Sequence, residues 1–300
     1  MDLTAVTLTE LRYVVAVADT RHFGRAAERC HVSQPTLSAG VKKLEETLGV
    51  RLFERAARRV RPTAVGERVL ARARVILAEL RTLGDLARAD GEPLVGALRL
   101  GVIPTLGPYL LPWLVPPLQK AYPRLRLTIR EGMTAQLIEE LAQHRLDAAL
   151  VALPVAAPGL QSVALFDEPF QVLAPRGHAL AARAHVREDD LRGARVLLLT
   201  EGHCLREQAL AICGEEAAGG DDFRATSLET LRHLVAAGIG CTLVPALATA
   251  SLVTPGTVAR PFRKPAPYRR IGLVWRRSLP DEAGVRMLAA FVRTHLPRTL

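Results

Sequence analysis

The stretch FGRAAERCHVSQPTLSAGVKKLEETLGVRLFER, residues 23–55, decides how the N-terminal part of this 300-residue chain folds. FGRAAERC, residues 23–30, predicts a short alanine-rich helix, and HVS predicts a tight turn. A second helix then begins, because Ser33 is a good N-cap and Pro35 is tolerated in a first helical turn. Its apolar residues recur on one face, at Leu37, Val41, Leu44 and Leu48. Two short helices joined by a tight turn are the helix-turn-helix arrangement.

The polar face of the second helix is a candidate DNA-reading surface. Gln34 and Thr36 project from its start, while Ser38 and Lys42 fall away from the apolar stripe. Glutamine and serine can read base edges in the major groove, and lysine can meet a phosphate. Residues 49–63 follow with short apolar runs and five arginines, which suits a β-wing along the DNA backbone. A solvated helical subdomain would also show a polar outer face, so the pattern alone leaves both interpretations open.

The same residues 23–55 resemble the DNA-binding signature of LysR-type transcriptional regulators, without a gap. The resemblance implies a winged helix-turn-helix domain at residues 1–63 that binds a double-stranded DNA operator. It also implies that Cys30 is a small buried residue of the first helix of the pair. The implied DNA-contacting residues are Ser33, Gln34, Pro35, Thr36, Ser38, Lys42 and Arg55.

Residues 64–90 predict one long helix, since no proline interrupts the pattern up to about residue 89. Its apolar residues have the spacing of a coiled-coil seam, and they are Val69, Ala73, Ile76, Leu80, Leu83 and Ala87. Packing of the helix on its own domain is the weaker alternative, because the stripe is narrow and sustained. A dimer would also suit a reader of paired DNA half-sites. Residues 91–96 then read as a hinge.

From residue 97 onward, strand-like runs alternate with helical stretches, which is an α/β pattern. The runs are ALRLGVI, LRLTIRE, LDAALVA, VALF, FQVLAP, RVLLL, CTLVPA and IGLVWR. In LysR-type regulators this region resembles a periplasmic binding protein with two lobes. The resemblance places regulatory lobe I at residues 97–166 and 269–300, and regulatory lobe II, the sensor lobe, at residues 167–268.

Ligands in such folds bind where strands end and helices begin. Four junctions carry hydroxyl or thiol groups: Thr105, Thr134, His203 with Cys204, and Thr226 with Ser227. Thr226 and Glu229 also have the spacing of a capping box. Each hydroxyl taken singly is better explained by a plain helix cap than by a binding site.

Two of the four cysteines, Cys204 and Cys213, lie in one predicted helix. Nine residues of helix separate them by about 13 Å on opposite faces, whereas a disulfide requires Cα atoms within roughly 7 Å. The two thiols are therefore unrelated, or they join only if the helix is dismantled. The helix N-terminus, His203 and Arg206 should lower the pKa of the Cys204 thiol.

LLTEGHCLREQALAIC, residues 198–213, resembles the sensor segment of peroxide-responsive LysR-type activators, as do IPTLGPYLLP, LFDEPF and FRATSLETLRHLVAAG. The resemblance implies that Cys204 is the peroxidatic and Cys213 the resolving cysteine of a reversible disulfide switch. It further implies that Thr105, Thr134 and His203 bind hydrogen peroxide, and that oxidation activates oxidative-stress genes. Cys241 is expected to be an inert strand residue. The Gly-rich acidic loop that follows Cys213 is a departure from the family pattern.

Other classes of function are less well supported. A LysR-type regulator of a small organic effector, bound between the lobes, would share the fold. A thiol peroxidase enzyme would not need the helix-turn-helix, so we expect no enzyme. The cysteine and histidine spacing indicates no metal site, and no cofactor is expected.

Partners and location follow from the same features. No apolar run reaches about 18 residues and no signal-peptide pattern begins the chain, so we expect a cytoplasmic protein without a membrane partner. The net charge of +10 is compatible with binding to DNA. The family implies a homodimer or homotetramer, contact with RNA polymerase, and a cytosolic thiol reductant that resets the switch.

Overall fold

The computed structural model describes residues 5–56, 59–86, 94–214 and 224–297. The chain forms two compact units, of which the first contains residues 1–90 and the second contains nearly all of the remainder. None of the helices within those described ranges combines the length and apolar character needed to cross a membrane.

The first unit begins with three helices, each of which starts at a local side-chain cap. They are α1 (Leu8–Thr20), α2 (Phe23–Cys30) and α3 (Gln34–Leu48). Thr7 and Glu10 form a reciprocal capping box at α1, and Ser33 accepts a hydrogen bond from the Thr36 backbone N–H at α3. His31 ends α2 in the left-handed conformation, with φ of 58°, which makes the tight turn. The predicted helix-turn-helix is confirmed.

A small β-hairpin follows, made of β1 (Phe53–Ala56) and antiparallel β2 (Arg59–Pro62). The Glu45 carboxylate on α3 accepts hydrogen bonds from the backbone N–H groups of Leu52 and Phe53, which fixes the hairpin to the helix. A Cβ at Gly66 would lie 2.1 Å from the Leu52 carbonyl oxygen, so the next helix packs against the hairpin backbone as only glycine allows.

The long helix α4 (Ala64–Leu86) is partly a member of the first unit's core. Ala73 is buried in that core, Val69 packs against it, and Arg74 forms an ion pair with Asp19 on α1. Ala73 is therefore covered within the monomer and leaves almost no surface for an intermolecular seam, whereas Val69 is half-buried. The rest of the stripe is exposed by 46%, 42% and 65% at Ile76, Leu80 and Leu83. Ala87 lies outside the described residues.

The second unit is α/β, as predicted. Its strands are β3 (Gly96–Val102), β4 (Leu125–Glu131), β5 (Ala148–Leu153), β6 (Leu160–Pro175), β7 (Leu198–Leu199), β8 (Arg224–Ala225), β9 (Thr242–Pro245), β10 (Thr257–Pro261) and β11 (Tyr268–Arg276). Its helices are α5 (Gly107–Ala121), α6 (Thr134–Ala142), α7 (Cys204–Cys213), α8 (Leu228–Ala236), α9 (Ala246–Leu252) and α10 (Glu282–Thr294), with short 3-10 turns at Ala179–Ala182 and Glu188–Leu191.

The main sheet has the strand order β10-β6-β11-β5-β3-β4, and β9 also pairs with β6. The sequence predicted two strands, VALF and FQVLAP, where the structure has the single 16-residue strand β6. Its first part pairs with β11, and its later part pairs with β9 and β10. Pro169 interrupts the apolar pattern without ending the strand, so β6 and β11 run continuously past the boundaries proposed for the two lobes.

We expect the exposed part of the α4 stripe to mediate dimerisation. Leu80→Asp should shift the protein toward monomer in sedimentation velocity, because an unpaired charge in an apolar seam costs several kcal/mol. Ala71→Asp is the matched control, since Ala71 is exposed on the opposite side of α4 and receives the same charge. An unchanged dimer for Leu80→Asp would show that this stripe is not the interface.

Candidate functional site

The Cys204 thiol lies at the start of α7 in the second unit, and the residue is half-buried. His203 is the N-cap residue in extended conformation and contributes no side-chain cap. The backbone N–H groups of Cys204 and Leu205 face the sulfur and favour its charged form. The predicted placement of Cys204 in the first helical turn is confirmed.

Burial raises the pKa of the Cys204 thiol above its ordinary value. The positive charge of Arg269 opposes that shift most strongly, followed by the Thr134 hydroxyl and the two backbone N–H groups. The expected lowering of this pKa by His203 and Arg206 is thus wrong. The Arg206 guanidinium instead donates to the Leu199 carbonyl. The cost of removing the thiolate from water outweighs the favourable effect of the helix terminus.

His203 is buried, and its surroundings favour the neutral form of the ring. Burial lowers the pKa of its imidazole, and a hydrogen bond to the Thr226 carbonyl opposes that shift only in part. The Nε2 atom is buried without a hydrogen-bond partner. Since a neutral ring that donates from one nitrogen accepts at the other, Nε2 is an open acceptor.

Thr105 lies between β3 and α5, and it forms hydrogen bonds with Arg269 on β11. Its hydroxyl accepts a hydrogen bond of 2.8 Å from Arg269 Nη1, and its carbonyl accepts one of 3.0 Å from Nη2. The hydroxyl proton of Thr105 is not used in this contact, so it remains available to a further acceptor. Arg269 is itself held by Glu168, and both of these side chains are fully buried.

Thr134 is the first residue of α6, and its Oγ1 is buried without a hydrogen bond of ordinary geometry. It nevertheless lies near enough to Cys204 to favour the thiolate. The structure therefore brings Thr134 and Arg269 to the Cys204 thiol and links Thr105 through Arg269. His203 is adjacent in the chain. Two hydroxyl donors, one imidazole acceptor and a thiol can bind a small molecule that both donates and accepts hydrogen bonds.

Cys213 closes the same helix at its far end. It is buried, and burial raises the pKa of its thiol. A ten-residue helix separates its ends by about 13 Å, so the two thiols do not meet while α7 is intact. Burial raises the pKa of Cys241 to about 12, which leaves almost no thiolate at neutral pH.

The predicted capping box at Thr226 and Glu229 is wrong. The helix α8 begins one residue later than expected, and Ser227 is the N-cap that accepts from the Thr230 backbone N–H. The Thr226 carbonyl is consequently free to orient His203.

The predicted DNA-contacting residues cluster at the start of α3. Gln34, Pro35 and Thr36 are exposed, whereas Ser38 is half-buried. The Ser33 hydroxyl is already paired with Thr36, at 2.7 Å. Lys42 is 73% exposed and lies 3.4 Å from Glu46, a surface pair that costs little to break. Arg55 lies on β1, and its side chain is outside the described part.

Sequence reasoning missed Arg269 and Glu168. The period-two alternation of β11 puts Arg269 on one face with Ile271, Leu273 and Trp275, all of which are buried. An arginine in register with three large apolar residues is a signal of a buried cation with a partner.

Two family models match the chain. The model described as a bacterial regulatory helix-turn-helix protein of the lysR family matches residues 8–67. The model described as a LysR substrate binding domain matches residues 91–297.

Individual relatives match over nearly the whole length. The hydrogen peroxide-inducible genes activator of Dickeya chrysanthemi is 44% identical over 293 residues, which cover 97% of this chain and 96% of that protein. A full-length OxyR variant from Pseudomonas aeruginosa has a TM-score of 0.80 at 43% identity, covering 97% of this chain and 98% of that one. A hydrogen-peroxide-bound OxyR mutant of Corynebacterium glutamicum has a TM-score of 0.69 at 35% identity, covering 96% and 92%.

Lys42→Ala should weaken binding to DNA of any sequence and reduce the steepness of its salt dependence by about one counterion. Affinity measured at several salt concentrations tests this. Lys120→Ala, which removes an exposed lysine from the second unit, is the control and should leave both quantities unchanged. Equal salt slopes for Lys42→Ala and the unmodified protein would remove Lys42 from the phosphate-contacting set.

His203 should be neutral at pH 7 and titrate below the ordinary histidine pKa. Folding favours the neutral ring, so the free energy of unfolding should fall as the pH drops below about 6.5. Histidine-selective NMR, with the urea-unfolded chain as reference, measures both states. A charged His203 ring at pH 7 would contradict the assignment of Nε2 as an acceptor.

Proposed function

The chain belongs to the LysR family of bacterial helix-turn-helix regulators, and we propose that it regulates transcription by sensing hydrogen peroxide at Cys204. The observation that carries this proposal is two buried polar atoms without an ordinary hydrogen bond. One is Oγ1 of Thr134, which lies near the Cys204 thiol, and the other is Nε2 of His203, the residue that precedes Cys204 in the chain. Buried polar atoms are rarely left unpaired unless a ligand or water completes them.

Hydrogen peroxide fits the donors and acceptors of this pocket. It has two hydroxyl groups, each of which can donate and accept. Thr105 and Thr134 would donate to its oxygens, and His203 Nε2 would accept one of its protons. Arg269 supplies positive charge where the reaction develops negative charge on the departing oxygen.

The first step oxidises Cys204. Its thiolate attacks one peroxide oxygen, the O–O bond breaks, and the second oxygen leaves as hydroxide that takes up a proton to become water. The product is a sulfenic acid on Cys204. The raised pKa makes thiolate scarce at rest. In this proposal, the polar groups around bound peroxide favour loss of the Cys204 proton when the attack occurs.

The second step forms the disulfide and changes the structure. The Cys213 thiol loses its proton and its sulfur attacks the Cys204 sulfur. An S–S bond forms, the S–O bond breaks, and the sulfenic hydroxyl leaves with a proton as water. Because α7 separates the thiols, the helix must unwind before this bond can form. A redox event thereby becomes a conformational one.

The consequences for DNA binding follow from the organisation of the chain. We assign residues 1–63 to DNA binding, 64–90 to dimerisation, 91–96 to a hinge, 97–166 and 269–300 to lobe I, and 167–268 to lobe II. In this proposal a homodimer or homotetramer contacts the operator through Ser33, Gln34, Pro35, Thr36, Ser38, Lys42 and Arg55. Remodelling of lobe II alters that contact and the encounter with RNA polymerase, and a cytosolic thiol reductant returns the protein to its dithiol form.

Single cysteine variants test the two assigned roles. Cys204→Ser should abolish the peroxide response in a promoter-binding assay. Cys213→Ser should still oxidise at Cys204 and stall there, trapped by a sulfenic-acid-selective reagent. Labelling of Cys213 in the Cys204→Ser protein, at the rate seen for Cys204 in the other variant, would contradict the roles.

The helix mechanism has its own measurement. Oxidation of the unmodified protein with stoichiometric peroxide should produce a 204–213 disulfide by mass spectrometry. It should also cause loss of amide-exchange protection across α7. A disulfide that forms with protection unchanged would disprove helix unwinding while leaving the peroxide chemistry intact.

A further inference from the structure

Glu168 is a fully buried carboxylate that does not touch the Cys204 thiol but is joined to its surroundings. It lies on β6 directly opposite Arg269 on β11. Its Oε2 accepts a hydrogen bond of 2.8 Å from Arg269 Nε and lies 2.8 Å from Nη2. Its Oε1 accepts a 2.9 Å hydrogen bond from the Leu247 backbone N–H.

Both oxygens of the carboxylate are needed for these contacts. The Leu247 N–H belongs to the first turn of α9 and has no acceptor within its own helix. An amide in the same place would put its NH2 group at one of the two oxygen positions, where it would face the N–H of Arg269 or of Leu247 instead of accepting from it. The position thus requires a carboxylate of glutamate length.

The same contacts fix where the Arg269 guanidinium points. Its Nε and Nη2 are engaged by Glu168, while Nη1 and Nη2 reach the hydroxyl and carbonyl of Thr105. A planar guanidinium held from two sides has no rotational freedom left. Its charge therefore has one fixed position relative to Cys204.

We propose that Glu168 is a positioning residue of the thiol site, which holds Arg269 against Thr105 and toward Cys204. This inference rests on the proposed function, because it concerns the rate at which Cys204 reacts with peroxide. It also links α9 to the pocket through an unbroken series of contacts, from the Leu247 N–H through Glu168 and Arg269 to Thr105.

A purely electrostatic role of Glu168 has the opposite consequence. If the carboxylate only neutralised Arg269, its removal would strengthen the positive field at Cys204 and increase the thiolate fraction. Glu168→Gln removes the charge and keeps the shape. Glu168→Asp keeps the charge but shortens the side chain by one methylene, so it cannot reach both Arg269 and Leu247.

The measurement is made on the full-length protein. Stopped-flow mixing with hydrogen peroxide gives the rate of oxidation, and peptide mass spectrometry assigns it to Cys204. The pH dependence of Cys204 alkylation by iodoacetamide reports its thiolate fraction. For Glu168→Asp we expect peroxide oxidation slower by about tenfold and an alkylation profile displaced upward by about one pH unit. Glu168→Gln should change in the same direction.

Two comparisons separate positioning from general destabilisation. Glu140→Gln removes another fully buried carboxylate, paired with Arg130 in the same unit, and should leave the Cys204 rate and profile unchanged. Glu168→Asp should also have little additional effect in an Arg269→Lys background, because residues that act through one another are non-additive.

Each outcome has a defined meaning. The proposal is overturned if Cys204 in Glu168→Asp is oxidised at the same rate as in the unmodified protein and Cys204 in Glu168→Gln is oxidised faster. That result would show that Glu168 acts only as a counter-charge to Arg269. Equal slowing by Glu140→Gln, or full additivity with Arg269→Lys, also overturns it. If Cys204 in the unmodified protein reacts no faster than Cys241, the proposed peroxide function fails instead.

Discussion

The proposed switch depends on one constraint, the distance that helix α7 imposes between its two cysteines. A ten-residue helix begins at one cysteine and ends at the other, and its geometry holds their sulfurs far beyond bonding distance. The same helix presents Cys204 to the Thr134 hydroxyl on α6 and to the charge of Arg269, while it buries Cys213 in the apolar core. One helix thus gives two identical side chains different environments, and the proposed difference in their reactivity rests on those environments.

Opposing electrostatic effects act on the pKa of the Cys204 thiol. Enclosure disfavours a charged sulfur, whereas Arg269, Thr134 and the first-turn amides favour it. Arg269 can remain charged in the interior because Glu168 pairs with it. Burying two charges costs desolvation free energy, and loss of one partner strongly destabilises the fold because it leaves the other charge unpaired. Such a pair contributes little net stability, so its value lies in the fixed direction of the guanidinium.

Much of the fold could be predicted because it is encoded locally. The stripe of Leu37, Val41 and Leu44 and the Ser33 cap specify α3 from adjacent residues, and alternation marks the strands of the second unit. Errors arose where tertiary contacts decide. Pro169 did not end β6 because β11 pairs with the strand up to Pro169 and β9 pairs with it from Phe170 onward. Ala73 lies in the core of the first unit and Val69 packs against that core. The site shows the same division: the hydroxyls at strand ends were predicted, but the partner of a buried arginine comes from a strand about 100 residues away in the chain.

The weakness of α7 as a helix follows from its sequence and suits its proposed role. Isolated helices shorter than about 12 residues are marginal in water, and α7 has ten. His203 provides no side-chain cap, where a serine or aspartate would stabilise the helix by about 1 kcal/mol. Its attachment to the core rests chiefly on Leu205, Ala209 and Cys213. The last of these is the residue that must leave the core to form the disulfide, so departure of the Cys213 sulfur removes part of what holds the helix. Unwinding of α7 and formation of the disulfide consequently favour each other. Without its contacts to the core, the sequence of α7 would not keep the segment helical, so one new covalent bond can release it.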